Sequence, residues 1–475
     1  MRRLAILLVA AFWAAPAAAH SGAHAPDLSG PPAVGPMRPY RTPRRLQWRL
    51  SNGLEVVLVE DRRYPMVSAR LAVRSGSAAF GPESAGLADA LAELLTDGTG
   101  RKNSKQISDA AAEYGGTIAA SAGPDSIVLE TYALAEHAGK MLGLLSEVAR
   151  TASFPKDEVA LRKANMLEEL NVSRAESDFL AGVAFYKKIY GEHPYGITAP
   201  TEQSIERIQK KGLEDGYRRL FSPANAVLVL VGSLGLEQAK AELEKKFGSW
   251  KGTGQANPAP EVVGGGGTRR VYLVGRPGSS QASIFIGNLS IGETHPQYFD
   301  LLLANQVLGG SFSSRLVQDV RETKGYTYRI GTRLESRRAS ALWRLRTPVR
   351  NEVVGDALDL IFRHIERIRK EEVAPAELDK AKNFLIGSFA RSMETQAGLA
   401  DAILRLKLLG LPEDYYDTFV EKVQAVSPAG ALKAARAFIR DDEFTVVVVG
   451  DASALGGVLT KFSSAPVTVV DQDGN

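Results

Sequence analysis

The side chains of this sequence that could perform chemistry are mostly carboxylates. The chain contains no cysteine, which excludes zinc–thiolate sites, iron–sulfur clusters and a cysteine nucleophile. Its histidines are scattered, and no Gly-x-Ser-x-Gly nucleophile elbow occurs. Asp89 and Glu93, in contrast, lie four residues apart within the apolar helical pattern 87–95. This spacing places both carboxylates on one face of a helix.

The hydrophobic pattern predicts two similar series of strands and helices. The first series has strands at 54–59, 67–73, 127–132 and 227–232, and helices at 87–95, from Lys156 into the 180s, and up to Phe247. The second series has strands at 271–274, 282–286, around Thr332, 342–345 and 446–450, and helices at 297–307 and from Pro375. Gly232 and Gly450 lie 218 positions apart, and Glu158 and Glu377 lie 219 apart. A near-constant offset indicates a duplication.

This organisation predicts an α+β protein of two homologous domains, 46–250 and 269–465. Residues 251–268 have the Gly/Pro composition of a linker between them. The length of 475 residues has room for more than one hydrophobic core. A net charge of +4, spread over this length, gives no indication of a nucleic-acid partner.

The N-terminus has the pattern of a secretory signal peptide. Two arginines precede an apolar run, and an Ala-x-Ala site follows, so we expect residues 1–19 to be cut off after Ala19. This predicts an exported protein, periplasmic in a Gram-negative source. Residues 20–45 are poor in apolar side chains and predict a flexible arm. His20 and His24 beside the new amine could bind copper or nickel, or they are incidental residues of a tail.

Five groups of short strings, in their order and spacing, resemble the insulinase/pitrilysin-type (inverzincin) zinc peptidases. These strings are 52–61, 86–93 with 98–99, 193–196 with 204–205, 221–225, and 305–316 followed by 321–328. The resemblance covers most of the chain after residue 45. It implies two domains of the insulinase-like type, each a mostly antiparallel sheet packed with helices.

The resemblance also implies that the zinc site is degenerate. Members that are active carry His-x-x-Glu-His, in which two histidines bind zinc and the glutamate acts as base. Here Asp89 and Glu93 stand at the histidine positions and Ala92 at the glutamate position, so we expect no zinc in this chain. Glu169 stands where the family has its third ligand. Three carboxylates suit Ca²⁺ or Mg²⁺, and the alternative is a solvated acidic face paired with Arg162.

The family's C-terminal signature, by contrast, is intact. The resemblance implies that Arg321 binds substrate and that Tyr328 stabilises the oxyanion at the zinc site of a second chain. The plainer interpretation makes Arg321 an ion-pair partner and Tyr328 a half-buried strand aromatic. If Arg321 and Tyr328 act on substrate, the chain is predicted to be the zinc-free subunit of a heterodimeric metallopeptidase. Its partners would then be a homologous zinc-binding subunit and peptide substrates, and no membrane span is expected. An inactive peptide- or protein-binding module of the cell envelope, and a hydrolase with an unrecognised site, are the alternatives.

Overall fold

Runs of apolar and β-branched residues form two six-stranded sheets. The computed structural model describes residues 40–252, 254 and 267–475, so the signal peptide, His20 and His24, and most of the linker lie outside the described residues. The strands are β1 Arg45–Arg49, β2 Glu55–Glu60, β3 Met66–Val73, β4 Thr117–Ala122, β5 Ile127–Leu134, β6 Ala226–Gly232, β7 Arg270–Gly275, β8 Gln281–Ser290, β9 Gly331–Ser336, β10 Ala341–Arg350, β11 Thr445–Gly450 and β12 Thr468–Val470.

The two sheets share the order of five strands and differ at one edge, where β1 pairs antiparallel with β2 and β12 pairs parallel with β7. The first runs β1-β2-β6-β3-β5-β4 and the second β12-β7-β11-β8-β10-β9. Most neighbouring strands are antiparallel. The parallel pairs are β2 with β6, β7 with β11 and β7 with β12. The predicted α+β class, with two related and mostly antiparallel sheets, is therefore confirmed. The exact domain boundaries stay a prediction.

Helices follow the strands of each sheet in matching order. They are α1 Leu87–Leu94, α2 Ser104–Glu113, α3 Ala138–Thr151, α4 Lys156–Arg174, α5 Ser177–Tyr190, α6 Glu202–Glu206, α7 Lys210–Leu220, α8 Leu236–Phe247, α9 Tyr298–Asn305, α10 Val354–Lys370, α11 Pro375–Ser392, α12 Gln396–Leu409, α13 Phe419–Ala425, α14 Pro428–Phe438 and α15 Ala452–Leu459. Within the described residues, no helix is long and apolar enough to cross a lipid bilayer.

The long helix predicted from Lys156 into the 180s is in fact two helices. The chain leaves helical geometry after α4, where Glu176 has an extended backbone. The break frees α5 to pack on strands β8 and β11 of the second sheet. Leu180 and Phe185 of α5 share an apolar cluster there with Phe285 and Val447.

The second half makes the reciprocal contact. Helix α12, whose first residue lies 219 positions after the first residue of α5, packs on strands β3 and β6 of the first sheet. Ion pairs accompany both contacts: Arg70 of β3 donates to Asp401 of α12 at 2.7 Å, and Arg346 of β10 pairs with Asp178 of α5. This exchange of helices makes Tyr40–Asn475 one compact unit.

Candidate functional site

Helix α1 presents two carboxylates where the family has its histidines. Its first turn is preceded by Gly86 in left-handed geometry (φ +85°), which favours glycine. A β-carbon at Gly86 would also lie 2.9 Å from Met166 of α4, so the glycine allows the two helices to approach closely. The apolar residues of α1 are buried in the first core, which leaves Asp89 and Glu93 on the outer face. Ala92 is buried and brings no polar atom to this face.

Helix α4 adds a guanidinium between two of these carboxylates. Arg162 Nη1 lies 2.8 Å from Glu93 Oε2 and 3.0 Å from Glu169 Oε1, and Nη2 donates to Glu169 Oε2 at 3.1 Å. The Arg162 side chain is only 13% exposed, whereas Glu93 and Glu169 are 48% and 59% exposed. The structure therefore brings together two of the three carboxylates that the resemblance aligns with the family's ligands, Glu93 and Glu169, around a cation that belongs to the protein.

The surrounding protein disfavours the ionised carboxyl groups. Asp89 is exposed, but it lines a recess of about 210 Å³ beside Tyr195, where the surrounding protein displaces part of its hydration and so raises its pKa, and Arg162 opposes this rise. Burial also raises the pKa of Glu93, where Arg162 again opposes and the charges of Glu169 and Asp89 contribute. Arg162 thus relieves the repulsion within an acidic cluster.

This donor set does not fit the zinc ion of the family. Zinc sites use imidazole, thiolate and carboxylate ligands that converge on one point, and here a guanidinium lies between the carboxylates. Among the residues that the structure describes, no group of three or more His, Asp or Glu side chains is arranged to hold a metal ion.

Arg321 lies in a wide helical turn of the second half. The segment Val317–Thr323 is a π-helix, and it directs the guanidinium to within 5.2 Å of the Phe312 ring centroid. Arg321 Nε also lies 3.3 Å from Glu322 Oε1, in a pair that is partly exposed. The arginine therefore keeps donors free to face solvent, and Phe312, a residue that the sequence did not single out, supports it.

Tyr328 lies in the segment before β9 and not in a strand. Its side chain is 66% exposed, so it is not the half-buried strand aromatic of the plainer interpretation. The backbone beside it is held in place: the hydroxyls of Thr327 and Thr347 each donate to the Arg329 carbonyl oxygen at 3.0 Å. Tyr328 lines a cleft of about 1080 Å³ between helix α5 and the second sheet, whereas Arg321 is not among the lining residues.

Asp178 connects this segment to the first half. Its carboxylate accepts from Arg346 and from Ser283 Oγ at 2.9 Å, and Arg329 Nη2 reaches it at 3.4 Å. The guanidinium of Arg329 lies 5.9 Å from the centroid of the Tyr328 ring. No pattern in the sequence predicted a role for Asp178, because its partners lie more than 100 positions away along the chain.

Comparison with known proteins agrees with the fold. Residues 55–199 match the family model described as Insulinase (Peptidase family M16), and residues 207–385 match the one described as Peptidase M16 inactive domain. A peptidase M16 inactive domain from Pseudomonas fluorescens superposes with a TM-score of 0.80 at 25% identity, covering 86% of this chain and 98% of that one. A protease from Helicobacter pylori has the same fold, with a TM-score of 0.79 at 19% identity over 86% of this chain and 99% of that one.

Relatives of this chain differ in the activity that their names state. An uncharacterized zinc protease from Bacillus subtilis is 24% identical over 352 residues, which are 74% of this chain and 84% of that protein. A protein from Helicobacter pylori, named a non-peptidase homolog, is 23% identical over 377 residues, 78% of this chain and 86% of that protein. The two family models follow each other along most of the described chain and the fold agrees with them. The chain therefore belongs to the insulinase family of peptidases, peptidase family M16.

Proposed function

We propose that this chain is the zinc-free subunit of a heterodimeric zinc metallopeptidase of the periplasm. In this proposal it completes a closed chamber for peptides, and Arg321 and Tyr328 act on substrate at the zinc site of a homologous partner subunit. Export follows from the signal peptide predicted at 1–19.

The observation that carries the proposal is the difference between the two halves. In the first half, Arg162 lies between Glu93 and Glu169, the two carboxylates that the resemblance aligns with zinc ligands. In the second half, Tyr328 is exposed on a large cleft and its neighbouring backbone is fixed. Selection for a scaffold alone gives no reason to hold an aromatic hydroxyl in solvent.

The chemistry of the two side chains suits this role. A tyrosine O–H can donate a hydrogen bond to the negative charge that develops on a scissile carbonyl oxygen, and a preorganised donor needs no rearrangement as that charge forms. An arginine supplies several donors in a fixed plane, which suits the carbonyl oxygens of an extended peptide. Because the described residues offer neither a metal site nor an activated nucleophile, we expect the metal to come from the partner.

The second candidate is an inactive module that binds peptides or proteins of the cell envelope. The name of the Helicobacter pylori relative, a non-peptidase homolog, favours it. The two candidates differ in whether a zinc-bearing homologue gains activity from this chain.

The test is reconstitution from separately purified chains. A homologous subunit with an intact His-x-x-Glu-His motif, preferably from a neighbouring gene, is mixed with this chain. Gel filtration and hydrolysis of a quenched fluorescent peptide are then measured. We expect a 1:1 complex that hydrolyses the peptide, while neither chain alone does so. A partner that is fully active alone, or that forms no complex, would contradict the proposal and favour the binding module.

A further inference from the structure

The cleft beside Tyr328 is richer in arginine than in carboxylate. It lies between helix α5 of the first half and the segment 276–280 with strands β8 and β10 of the second. Its charged lining residues are the arginines Arg276, Arg329, Arg344 and Arg346 and the carboxylates Glu176 and Asp178. Its volume of about 1080 Å³ reaches the upper end of ordinary ligand pockets, which is room for several residues of an extended peptide.

Two of these arginines share one carboxylate. Asp178 accepts from Arg346 through both of its oxygens and from Ser283 Oγ at 2.9 Å. Arg329 reaches the same carboxylate only at 3.4 Å, and its side chain is 50% exposed. One negative charge therefore serves two guanidinium groups, and Arg329 keeps donors for a ligand.

Arg276 has no acidic partner in the described part of the chain. Its Nη1 donates to the hydroxyl of Ser177 at 3.0 Å, and no carboxylate there lies within ion-pair distance of it. Glu176 is exposed at the edge of the cleft, where water screens its charge. Arg344 is neutralised by Glu335, to which its Nε donates at 2.8 Å. The excess positive charge is thus located on Arg276 and Arg329.

We infer that this cleft binds a carboxylate group of a peptide, with Arg276 and Arg329 as its donors. A guanidinium can bind a carboxylate through two parallel hydrogen bonds, which makes the contact both strong and directional. The N-terminal end of helix α5 opens into the same cleft and adds partial positive charge. The inference rests on the proposed function in one respect: it takes Tyr328, which lines the same cleft, as facing the bound peptide.

The carboxylate could be an acidic side chain or the C-terminus of the peptide, and the test separates these sources. Three labelled peptides of one sequence are compared by fluorescence anisotropy with the purified chain alone. One has an internal Glu and an amidated C-terminus, the second has Gln and an amidated C-terminus, and the third has Gln and a free C-terminus. We expect one or both of the peptides that carry a carboxylate to bind about tenfold more tightly than the neutral peptide.

Variants connect this preference with the cleft. Arg276→Gln and Arg329→Gln should each reduce the preference for the peptides with a carboxylate to less than about threefold. The Arg329 side chain is half exposed, so its replacement should not disturb folding. Arg218→Gln is the matched control, because Arg218 is an exposed arginine on α7 outside the cleft, and it should retain the full preference. Thermal melting confirms that each variant is folded.

The inference is overturned if the three peptides bind within about twofold of each other, or if both cleft variants keep the preference. These outcomes are separate from those of the reconstitution. A chain with the preference that forms no complex with a zinc-bearing partner supports the cleft and contradicts the proposed function. An active complex whose zinc-free subunit shows no preference supports the proposed function and contradicts carboxylate binding in the cleft.

Discussion

Replacement of Arg162 by methionine tests whether its guanidinium takes the place of a metal ion. Methionine keeps much of the length and apolar contact of the arginine stem but removes the charge. Exposed ion pairs contribute about 0.2–1 kcal/mol each, whereas breaking a buried pair costs about 3–5 kcal/mol. Arg162 is mostly buried but its two carboxylate partners are about half exposed. We therefore expect the free energy of unfolding to fall by about 2 kcal/mol at pH 7.5.

The loss should depend on pH in a defined direction. Arg162 opposes the rise in the pKa of Asp89 and Glu93, so its removal raises both further. A carboxyl whose pKa is higher in the folded protein lowers stability as pH rises above its unfolded value of about 4, with the full loss above its folded pKa. Arg162→Met should therefore cost less at pH 4.5 than at pH 7.5.

Urea unfolding followed by circular dichroism at both pH values measures this difference. Arg218→Gln, which removes an exposed pair, is the control and should change the free energy of unfolding by less than about 0.5 kcal/mol. Millimolar Ca²⁺ should restore part of the stability of Arg162→Met but leave the wild type unchanged, since the freed carboxylates are ligands of the kind that Ca²⁺ binds. An equal loss at both pH values, or no loss, would refute the reasoning.

The remaining predictions concern activity and metal content. In the reconstituted complex, Tyr328→Phe should lower kcat by about 10²–10³ with little change in KM, because its hydrogen bond strengthens only in the transition state; near-normal kcat would support a packing role. Arg321→Ala should raise KM as well as lower kcat, as measured by steady-state assays of the same complex. Asp178→Asn and Asp401→Asn each weaken one of the two contacts between a helix and the opposite sheet. Asp178→Asn should lower kcat more, because only Asp178 contacts the segment around Tyr328. Elemental analysis of the purified chain should find less than about 0.1 zinc per molecule, and one tightly bound zinc with chelator-sensitive hydrolysis would contradict the expected degenerate site.

Regular patterns in the sequence predicted the duplication and nine of the twelve strands among the described residues, but not β1, β4 and β12. The buried runs of β6 and β11 predict strands that end in glycine, and the 218 positions between their glycines agree to within one with the 219 between the first residues of α4 and α11. The first helix was also predictable, since its apolar residues recur with helical spacing.

Contacts between distant parts of the chain were not predictable. The packing of α5 and α12 on the opposite sheets depends on breaks of two and three residues, 175–176 and 393–395, that the apolar pattern does not reveal. The ion pair of Asp178 with Arg346 joins residues 168 positions apart, so no local sequence pattern could predict it. At the degenerate site, the sequence supplied Arg162 and the carboxylates, but only side-chain geometry shows that the guanidinium bridges two of them.

The reciprocal exchange of helices explains how a member of this family can lose its metal and keep its fold. The apolar surface that unites the halves lies between α5 and the second sheet and between α12 and the first. Burial and the mutual repulsion of the carboxylates both disfavour the charged cluster, and one guanidinium on α4 opposes these effects locally. The segment around Tyr328 depends on helix α5, because Arg329 contacts Asp178 of that helix. The hydroxyl of Thr347 holds the same segment by donating to the Arg329 carbonyl oxygen. The exchange thus preserves the geometry of the second half whether or not the first half binds a metal.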